Sequence, residues 1–186
     1  MQHTLIIVAH PKTDSFSFAM ANAYRENVQR KGREVEMLDL YRETRQQPFF
    51  AFDDQNDMTA TEEMTYFQHK IAEADEIVLV FPFWWGSFPA ILKNFIDWNL
   101  SKGFAFTYVD GRPKGLLQGK SVRVFTTSGA PKLIYTLTGA YRRLKYMIKH
   151  QIVVFCGMEL AGFHAFGGID TSAKNTKKIL DEIRSL

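Results

Sequence analysis

The sequence lacks several features that mark particular classes of protein. It has one cysteine in 186 residues, so no disulfide can form within the chain, and we expect a reducing, cytoplasmic location. The longest uncharged run, residues 77–92, is interrupted by two prolines and a glycine and is too short to span a bilayer. No signal peptide is expected either, because the N-terminal segment has no basic region before its apolar run.

An excess of one charge and the common nucleotide and metal motifs are also missing. Lys and Arg outnumber Asp and Glu by 23 to 20, a formal charge of +3, which does not indicate a nucleic-acid partner. Neither G-x-G-x-x-G nor a P-loop occurs, so those two phosphate-binding motifs are excluded. We expect no metal, because His3, His69, His150 and His164 show no ligand spacing with one another or with Cys156.

Aromatic side chains, in contrast, are plentiful at 14%, with sixteen Phe, seven Tyr and three Trp. Flat rings serve either to fill a core or to contact a flat ligand. The remaining composition, 46% hydrophobic and 23% charged, is ordinary for a globular protein. The length predicts one domain over residues 1–186.

Short β-branched apolar runs alternate with stretches of helical periodicity, which is typical of a parallel α/β sheet. The expected strands are 4–9, 35–40, 76–81, 121–127 and 160–166. The chain connections then favour a flavodoxin-like fold, with strand order 2-1-3-4-5 and helices on both faces of the sheet.

The expected helices lie between these strands, and the connections 42–59 and 99–119 are expected to be long loops. Thr59 and Glu62 form a capping-box pattern before the second helix, and Asp170 is placed to cap the last one. We expect Leu186 to face inward from that last helix. The other three helices are expected at about 15–30, from Pro89 onward, and at 138–155.

Such a sheet binds its ligand at the carboxyl ends of its strands, where 10–18, 82–88 and 126–135 should meet. In the first segment, His10, Ser15, Phe16 and Ser17 offer an imidazole, hydroxyls and helix-start N–H groups, which suit a phosphate. The alternative is a capped helix start with a solvated histidine. Asp14 is a candidate for the helix cap.

Residues 81–88, which contain the second segment, include five aromatic residues in eight, at the end of the most apolar strand. An isoalloxazine ring would account for this density, whereas a hydrophobic lid or a dimer contact is the alternative. In the third segment, small residues let the backbone approach a flat ligand closely, although ordinary turns use the same residues. Tyr135 and Tyr141 follow, and either phenol is a candidate proton donor or an ordinary core or surface tyrosine.

Two further features have simple interpretations. Cys156 follows an apolar run and is expected to be a buried, inert thiol. A basic helical stretch is expected to be a solvated face, or alternatively to meet the phosphates of a pyridine nucleotide or an acidic partner. That stretch comprises Arg142, Arg143, Lys145, Lys149 and His150.

Taken together, the motifs resemble those of the NAD(P)H:quinone oxidoreductase family, the flavodoxin-2 type of flavoprotein. The similar segments are AHPKTDSFSFAMA at 9–21, FPFWWGSFPAILKNFIDW at 81–98, GFAF at 103–106, TTSGA at 126–130 and FCGM at 155–158. The family includes quinone reductases, modulators of drug activity and ancillary flavoproteins of glutathione-gated potassium efflux systems. The similarity covers nearly the whole chain, in order.

The resemblance implies a flavin enzyme that works as a homodimer, with its sites at the subunit boundary. The implied cofactor-binding residues are His10, Ser15, Phe16 and Ser17 beside the phosphate, Pro82, Phe83, Trp84 and Trp85 beside the ring, and Thr126, Thr127, Ser128 and Gly129 at its polar edge. Tyr135 matches a family tyrosine near the flavin and the nicotinamide. Tyr141 stands where the animal quinone reductases have an active-site histidine, and its usual pKa of about 10 makes it a poor base.

The expected activity is two-electron hydride transfer from NAD(P)H through flavin N5 to a quinone, by a ping-pong mechanism. FMN is the expected cofactor and FAD the alternative, because the chain lacks the C-terminal extension of the longer family members. One alternative function is a regulatory subunit of a potassium efflux system with a membrane transporter as partner. A one-electron flavodoxin-type carrier is the other, although flavodoxins are typically acidic.

Overall fold

A five-stranded parallel sheet forms the centre of the computed structural model, which describes residues 2–52, 60–169 and 173–186. The five strands are β1 (His3–Val8), β2 (Glu34–Asp39), β3 (Glu76–Pro82), β6 (Ser121–Ser128) and β7 (Glu159–Gly167). Their order along the sheet is β2-β1-β3-β6-β7, which confirms the predicted flavodoxin-like topology.

Helices cover both faces of this sheet, because the central strands are apolar on both sides. Every residue of β3 is buried, which is typical of a central parallel strand. The helices α1 (Phe16–Arg30) and α6 (Ala173–Arg184) pack on one face. On the other face lie α2 (Glu62–Glu73), α3 (Ala90–Asn99) and α5 (Ala140–Met147).

Between α3 and β6 the structure has an antiparallel hairpin, β4 (Phe106–Val109) and β5 (Arg112–Gly115), where the sequence predicted only a loop. Asp110 and Gly111 form its turn, with φ of +50° and +74°. An Asp-Gly pair between two short strands is a strong hairpin signal, because such a turn needs two residues in the left-handed region. The Asp110-Gly111 dipeptide therefore indicates the hairpin in the sequence, and the prediction of a loop overlooked it.

The single helix predicted over 138–155 is also corrected. A short helix, α4 (Lys132–Leu137), precedes Gly139, whose φ of +69° breaks the chain before α5 begins. After α5 the chain continues as a π-helical turn, Ile148–Val153. The left-handed glycine explains why the helical pattern does not start at Thr138.

Three smaller predictions at helix ends have different outcomes. Thr61, not Thr59, caps α2, since its hydroxyl accepts a hydrogen bond from the Met64 amide at 3.1 Å. Thr59 and Asp170 lie outside the described residues. Leu186 lies beyond the end of α6 and is 37% exposed, so its predicted inward position is wrong. Within the described ranges, no helix is long and apolar enough to cross a membrane.

Candidate active site

Three loops meet at the carboxyl edge of the sheet, as the sequence predicted. The Ala9 amide donates to the Val80 carbonyl at 2.9 Å, which holds the end of β1 beside β3. The Phe83 amide donates to the Thr127 carbonyl at 2.7 Å, which joins the loop after β3 to the end of β6. The structure therefore brings the three predicted segments into one site.

The first loop leads from β1 into the first turn of α1. Ser15 caps the helix, because its hydroxyl accepts from the Phe18 amide at 3.4 Å. Asp14, the predicted cap, is instead an exposed carboxylate 3.9 Å from Lys12 Nζ. The first N–H groups of a helix have no acceptor within it, so those of Phe16 and Ser17 are available to an anion.

His10 lies beside this helix start and is partly buried. Its Nδ1 lies 3.0 Å from the Lys12 carbonyl oxygen and 3.1 Å from the Lys12 amide nitrogen, and its ring centroid is 5.9 Å from that of Trp84. Burial lowers the pKa of His10 below its usual 6.5, so the imidazole is neutral at pH 7. The helix N–H groups, not a charged imidazole, therefore give this loop its attraction for anions.

One charged residue near this loop was missed by the sequence reasoning. Arg42, in the long loop after β2, donates through Nη2 to the Pro11 carbonyl, and its Nη1 pairs with Asp39 at 2.9 Å. Its guanidinium lies 5.8 Å from the centroid of the Phe18 ring. Arg42 therefore adds positive charge beside the helix start. Nothing in the local sequence separates it from other loop arginines.

The second loop divides its aromatic residues between the core and the surface. Phe83 is buried, whereas Trp84 is 41% exposed and Trp85 is fully exposed. Trp84 and Ser87 exchange two backbone hydrogen bonds, of 3.0 and 2.9 Å, around a tight turn. Trp85 and Gly86, at its centre, have φ of +50° and +81°. The turn therefore projects the Trp85 ring away from the protein, where a ligand can pack on it.

The third loop ends β6 with hydroxyl side chains. Thr126 and Thr127 are buried, Gly129 is exposed, and the Thr126 hydroxyl has no hydrogen-bond partner among the described residues. The Ser128 hydroxyl donates to the Ala130 carbonyl at 3.1 Å and lies 2.6 Å from the Tyr141 hydroxyl. Either hydroxyl can donate in the hydrogen bond between Ser128 and Tyr141.

The two candidate tyrosines pack around Phe83. The ring centroid of Phe83 is 5.2 Å from that of Tyr135 and 5.4 Å from that of Tyr141, and the two tyrosine rings are 5.4 Å apart. Burial raises the pKa of Tyr141, so it stays protonated at neutral pH. We call these three side chains the ring cluster. It connects α4 and α5 to the second and third loops.

A separate cavity of about 650 Å³, with both polar and apolar lining residues, lies away from the ring cluster. It is bounded by α3, the β4–β5 hairpin and the π-helical turn, parts of the chain that the sequence did not assign to a site. Its lining includes Phe50, Lys102, Phe106, Tyr108, Ile152 and Phe155. None of the predicted site residues lines this cavity, since the three loops form an open edge elsewhere on the protein.

Two expectations about reactive side chains can be compared with the structure. Cys156 is buried, as predicted, and burial raises the pKa of its thiol to about 11, so it is unreactive at neutral pH. In the described part of the chain, no three His, Cys, Asp or Glu residues are grouped so that they could hold a metal ion.

The fold and the edge are similar to those of known proteins. The family model Flavodoxin_2, described as a flavodoxin-like fold, matches residues 2–186. An "Uncharacterized NAD(P)H oxidoreductase" of Haemophilus influenzae is 34% identical over 187 residues, covering 98% of this chain and 92% of that protein. The mouse "Ribosyldihydronicotinamide dehydrogenase [quinone]" is 28% identical, covering 95% of this chain and 86% of the relative.

Among solved structures, a protein of Streptococcus mutans UA159 has a TM-score of 0.85 and 28% identity, covering 99% of this chain and 97% of the other. These comparisons confirm the predicted fold class, and the names of the relatives agree with the prediction of an oxidoreductase. The chain belongs to the Flavodoxin_2 family.

Proposed function

We propose that this protein is a flavin-dependent NAD(P)H:quinone oxidoreductase, with FMN as the expected flavin and FAD as the alternative. The observation that carries the proposal is the convergence at one sheet edge of a helix start, an exposed tryptophan pair and a hydroxyl-bearing loop. These match in order the phosphate, the apolar ring system and the polar ring edge of a flavin.

The residues present fit a flavin. The N–H groups of Phe16 and Ser17, with the Ser15 hydroxyl beside them, would hold the phosphate. The Ser17 hydroxyl is buried without a described partner, and so is that of Thr126 on the third loop. A buried hydroxyl without a partner costs about 1–3 kcal/mol, and a bound acceptor would remove that cost.

The remaining predicted residues would contact the ring system. Trp84 and Trp85 would cover its apolar surface, with Pro82 and Phe83 behind them in the core. Thr127, Ser128 and Gly129 would present backbone and hydroxyl groups to its heteroatoms. His10, as a neutral imidazole beside Trp84, would bound the site on the α1 side.

A flavin held by these residues would supply the redox chemistry, which is two-electron transfer between NAD(P)H and a quinone. The protein's own part is to position the reactants and to hold a proton. Tyr141 keeps its hydroxyl hydrogen, because burial raises its pKa, and its hydroxyl is held by a hydrogen bond with that of Ser128. Tyr135, only partly buried, lies at the outer side of the ring cluster, where it would contact a substrate.

The proposal includes a homodimer. Tyr108, which lines the cavity beside α3 and is 53% exposed, and the next residue Val109, which is 49% exposed, form an apolar surface that a second copy of the chain would cover. Light scattering would then give twice the chain mass. Tyr108→Glu would lower that mass toward the monomer, because it places a charge in the apolar contact.

The two alternative functions are less favoured than an enzyme, because the relatives are named as an oxidoreductase and a dehydrogenase. A cytoplasmic location and a transporter partner stay predictions.

The direct test is to purify the protein and record its absorption spectrum. We expect a yellow chromophore, released by heat and identified chromatographically as FMN, and oxidation of NADH or NADPH with menadione as acceptor. FAD in the chromatogram would correct the choice of flavin only. A colourless protein that binds neither flavin would refute the proposal.

A further inference from the structure

Positive charge is concentrated in one part of the chain. Residues 111–158 contain nine Lys and Arg and no Asp or Glu, whereas the rest of the chain has fourteen Lys and Arg against twenty Asp and Glu. Although the net charge of the whole chain is only +3, residues 111–158 therefore form a strongly basic segment. That segment includes β6 and α5, the two elements that carry Ser128 and Tyr141 of the site.

The cations of α5 and the following turn are not neutralised within the described structure. Arg142, Arg143, Lys145 and Lys149 are exposed, and none of the nine ion pairs among the described residues includes one of them. On α3, in contrast, Lys93 pairs with Asp97. The basic face of α5 is therefore available to an anion from outside the chain.

Arg142 and Arg143 converge on one point of this face. A side-chain carbon at Gly139 would lie 3.5 Å from Arg143 Nη1 and 4.0 Å from Arg142 Nε and Nη2. Arg143 is held there, because its Nη1 donates to the Thr138 carbonyl at 2.8 Å. Two positive charges beside one point repel each other, and a bound anion would offset that repulsion. The planar donor fork of arginine matches the oxygens of a phosphate.

The arginine pair lies beside the candidate active site. Tyr141, the residue before Arg142, packs against Phe83 in the ring cluster and bonds to Ser128 at the end of β6. The helix start that would hold the flavin phosphate lies on the opposite face of the sheet, with α1. Groups that attract anions therefore lie on both sides of the sheet, the start of α1 on one side and the arginine pair on the other.

We propose that Arg142 and Arg143 bind a phosphate group of the dinucleotide electron donor and so determine its specificity. This inference rests on the proposed function, because the donor is the NAD(P)H of that reaction. The phosphate is either the pyrophosphate shared by NADH and NADPH or the 2′-phosphate of NADPH alone, and the choice of donors in the experiment separates the two.

The test compares the wild type with R142Q/R143Q, using three donors and menadione as acceptor. The donors are NADPH, NADH and reduced nicotinamide riboside, which carries no phosphate. We expect the KM for NADPH to rise about tenfold or more, with kcat, flavin content and the KM for the riboside unchanged, since lost charge-assisted hydrogen bonds weaken only phosphate binding. A matching rise for NADH identifies the pyrophosphate, and an unchanged NADH value identifies the 2′-phosphate.

The matched control is R25Q/K178Q, which removes two exposed charges from α1 and α6 on the other face of the sheet. It should leave the KM values of all three donors unchanged. The proposal is overturned if the arginine variant raises the KM for the riboside as much as the KM for NADPH. It is also overturned if the variant changes the KM of neither NADPH nor NADH. The first result would indicate a general structural defect. The second would indicate that the basic surface does not bind the electron donor.

A binding measurement separates failure of this inference from failure of the proposed function. Calorimetry with adenosine 2′,5′-bisphosphate and with ADP needs no turnover and no flavin reduction. We expect wild-type binding of at least one of them to weaken about tenfold or more in R142Q/R143Q and to fall with added salt. Wild-type protein that oxidises no donor would refute the proposed function, whereas equal binding by both proteins would refute the arginine site.

Discussion

The two ends of the central sheet differ in how their charged and aromatic side chains are placed. At the amino end, Glu76 begins β3 and is only 3% exposed. Its carboxylate accepts hydrogen bonds from Tyr24 at 2.8 Å, Arg33 at 3.0 Å and Arg123 at 3.1 Å. At the carboxyl end, by contrast, Trp85 is fully exposed. Buried polar atoms without a described partner occur at both ends: the Ser17 and Thr126 hydroxyls at the carboxyl end, and the Thr4 hydroxyl and Arg33 Nε at the amino end.

The comparison indicates that residues at the amino end of the sheet stabilise the fold, whereas residues at the carboxyl end are placed to bind a ligand. The Glu76 carboxylate is balanced by two guanidinium groups and a phenol within the chain, so this buried charge needs no ligand. Burial, together with the Glu76 charge, raises the pKa of Tyr24 to about 12, so this phenol remains a donor. At the carboxyl end, the donors and rings face outward, where a ligand would complete them. Substitutions at the two ends should therefore have different consequences.

The largest expected effect is on stability, from Glu76→Gln at the amino end. Arg33 and Arg123, with side chains 21% and 18% exposed, would lose their counter-charge. Breaking a buried ion pair at one partner costs about 3 kcal/mol of unfolding free energy. Urea unfolding at pH 7 measures the loss.

Glu34→Gln is the control for that substitution, because Glu34 also begins a strand but is exposed. Its effect should stay within about 0.5 kcal/mol. If the two variants were equally stable, the amino-end network would have no special role, and the contrast between the ends would be wrong.

The next effect is on catalysis, from Tyr141→Phe at the carboxyl end. Removing a proton donor from the site should lower kcat about 100-fold. Unfolding free energy should fall by only about 1 kcal/mol, because Ser128 keeps its bond to the Ala130 carbonyl. Steady-state kinetics with menadione and urea unfolding measure the two quantities.

The pH profile provides a second measure of the same residue. Because burial raises the pKa of Tyr141, its proton should be present throughout neutral pH and be lost only as pH rises above about 10. Tyr146→Phe, on the same helix and 61% exposed, should leave kcat unchanged. An undiminished kcat in Tyr141→Phe would remove this residue from the proposed catalytic role.

A smaller effect is expected on flavin affinity, from Trp85→Ala. Loss of one stacked ring should weaken FMN binding about tenfold, measured by titration of the flavin-free protein. Unfolding free energy without flavin should change by less than about 0.5 kcal/mol, because the ring is fully exposed. Phe49→Ala, at a residue 83% exposed, is the control and should bind FMN normally. Equal affinity in both variants would argue against the tryptophan as a flavin contact.

The smallest effect concerns His10 and pH. Because burial lowers its pKa in the folded protein, the unfolded chain binds the proton more readily. The contribution of His10 to stability is therefore present above the unfolded pKa of about 6.5 and is lost as pH falls below it. Flavin-free His10→Gln should show a shallower loss of unfolding free energy between pH 7.5 and about 5 than the wild type. Parallel pH curves would contradict this.

Much of the fold could be predicted from the sequence, because apolar periodicity records burial directly. The five strands and their order follow from runs such as 76–81 and from the handedness of the connections. The β4–β5 hairpin was missed although Asp110-Gly111 signalled it. The helix cap at Thr61 and the break at Gly139 were missed because several neighbouring residues could serve equally well.

For the site, sequence determined which three segments would meet, because parallel strands place their following loops at one edge. Only the tertiary structure decided which rings of the second loop face outward, since the turn at Trp85 and Gly86 depends on backbone dihedral angles. It also decided that Arg142 and Arg143 converge at Gly139 and that Tyr141 and Ser128 are joined by a hydrogen bond. Composition and periodicity fix burial along each element, but relations between side chains of different elements exist only after the elements pack.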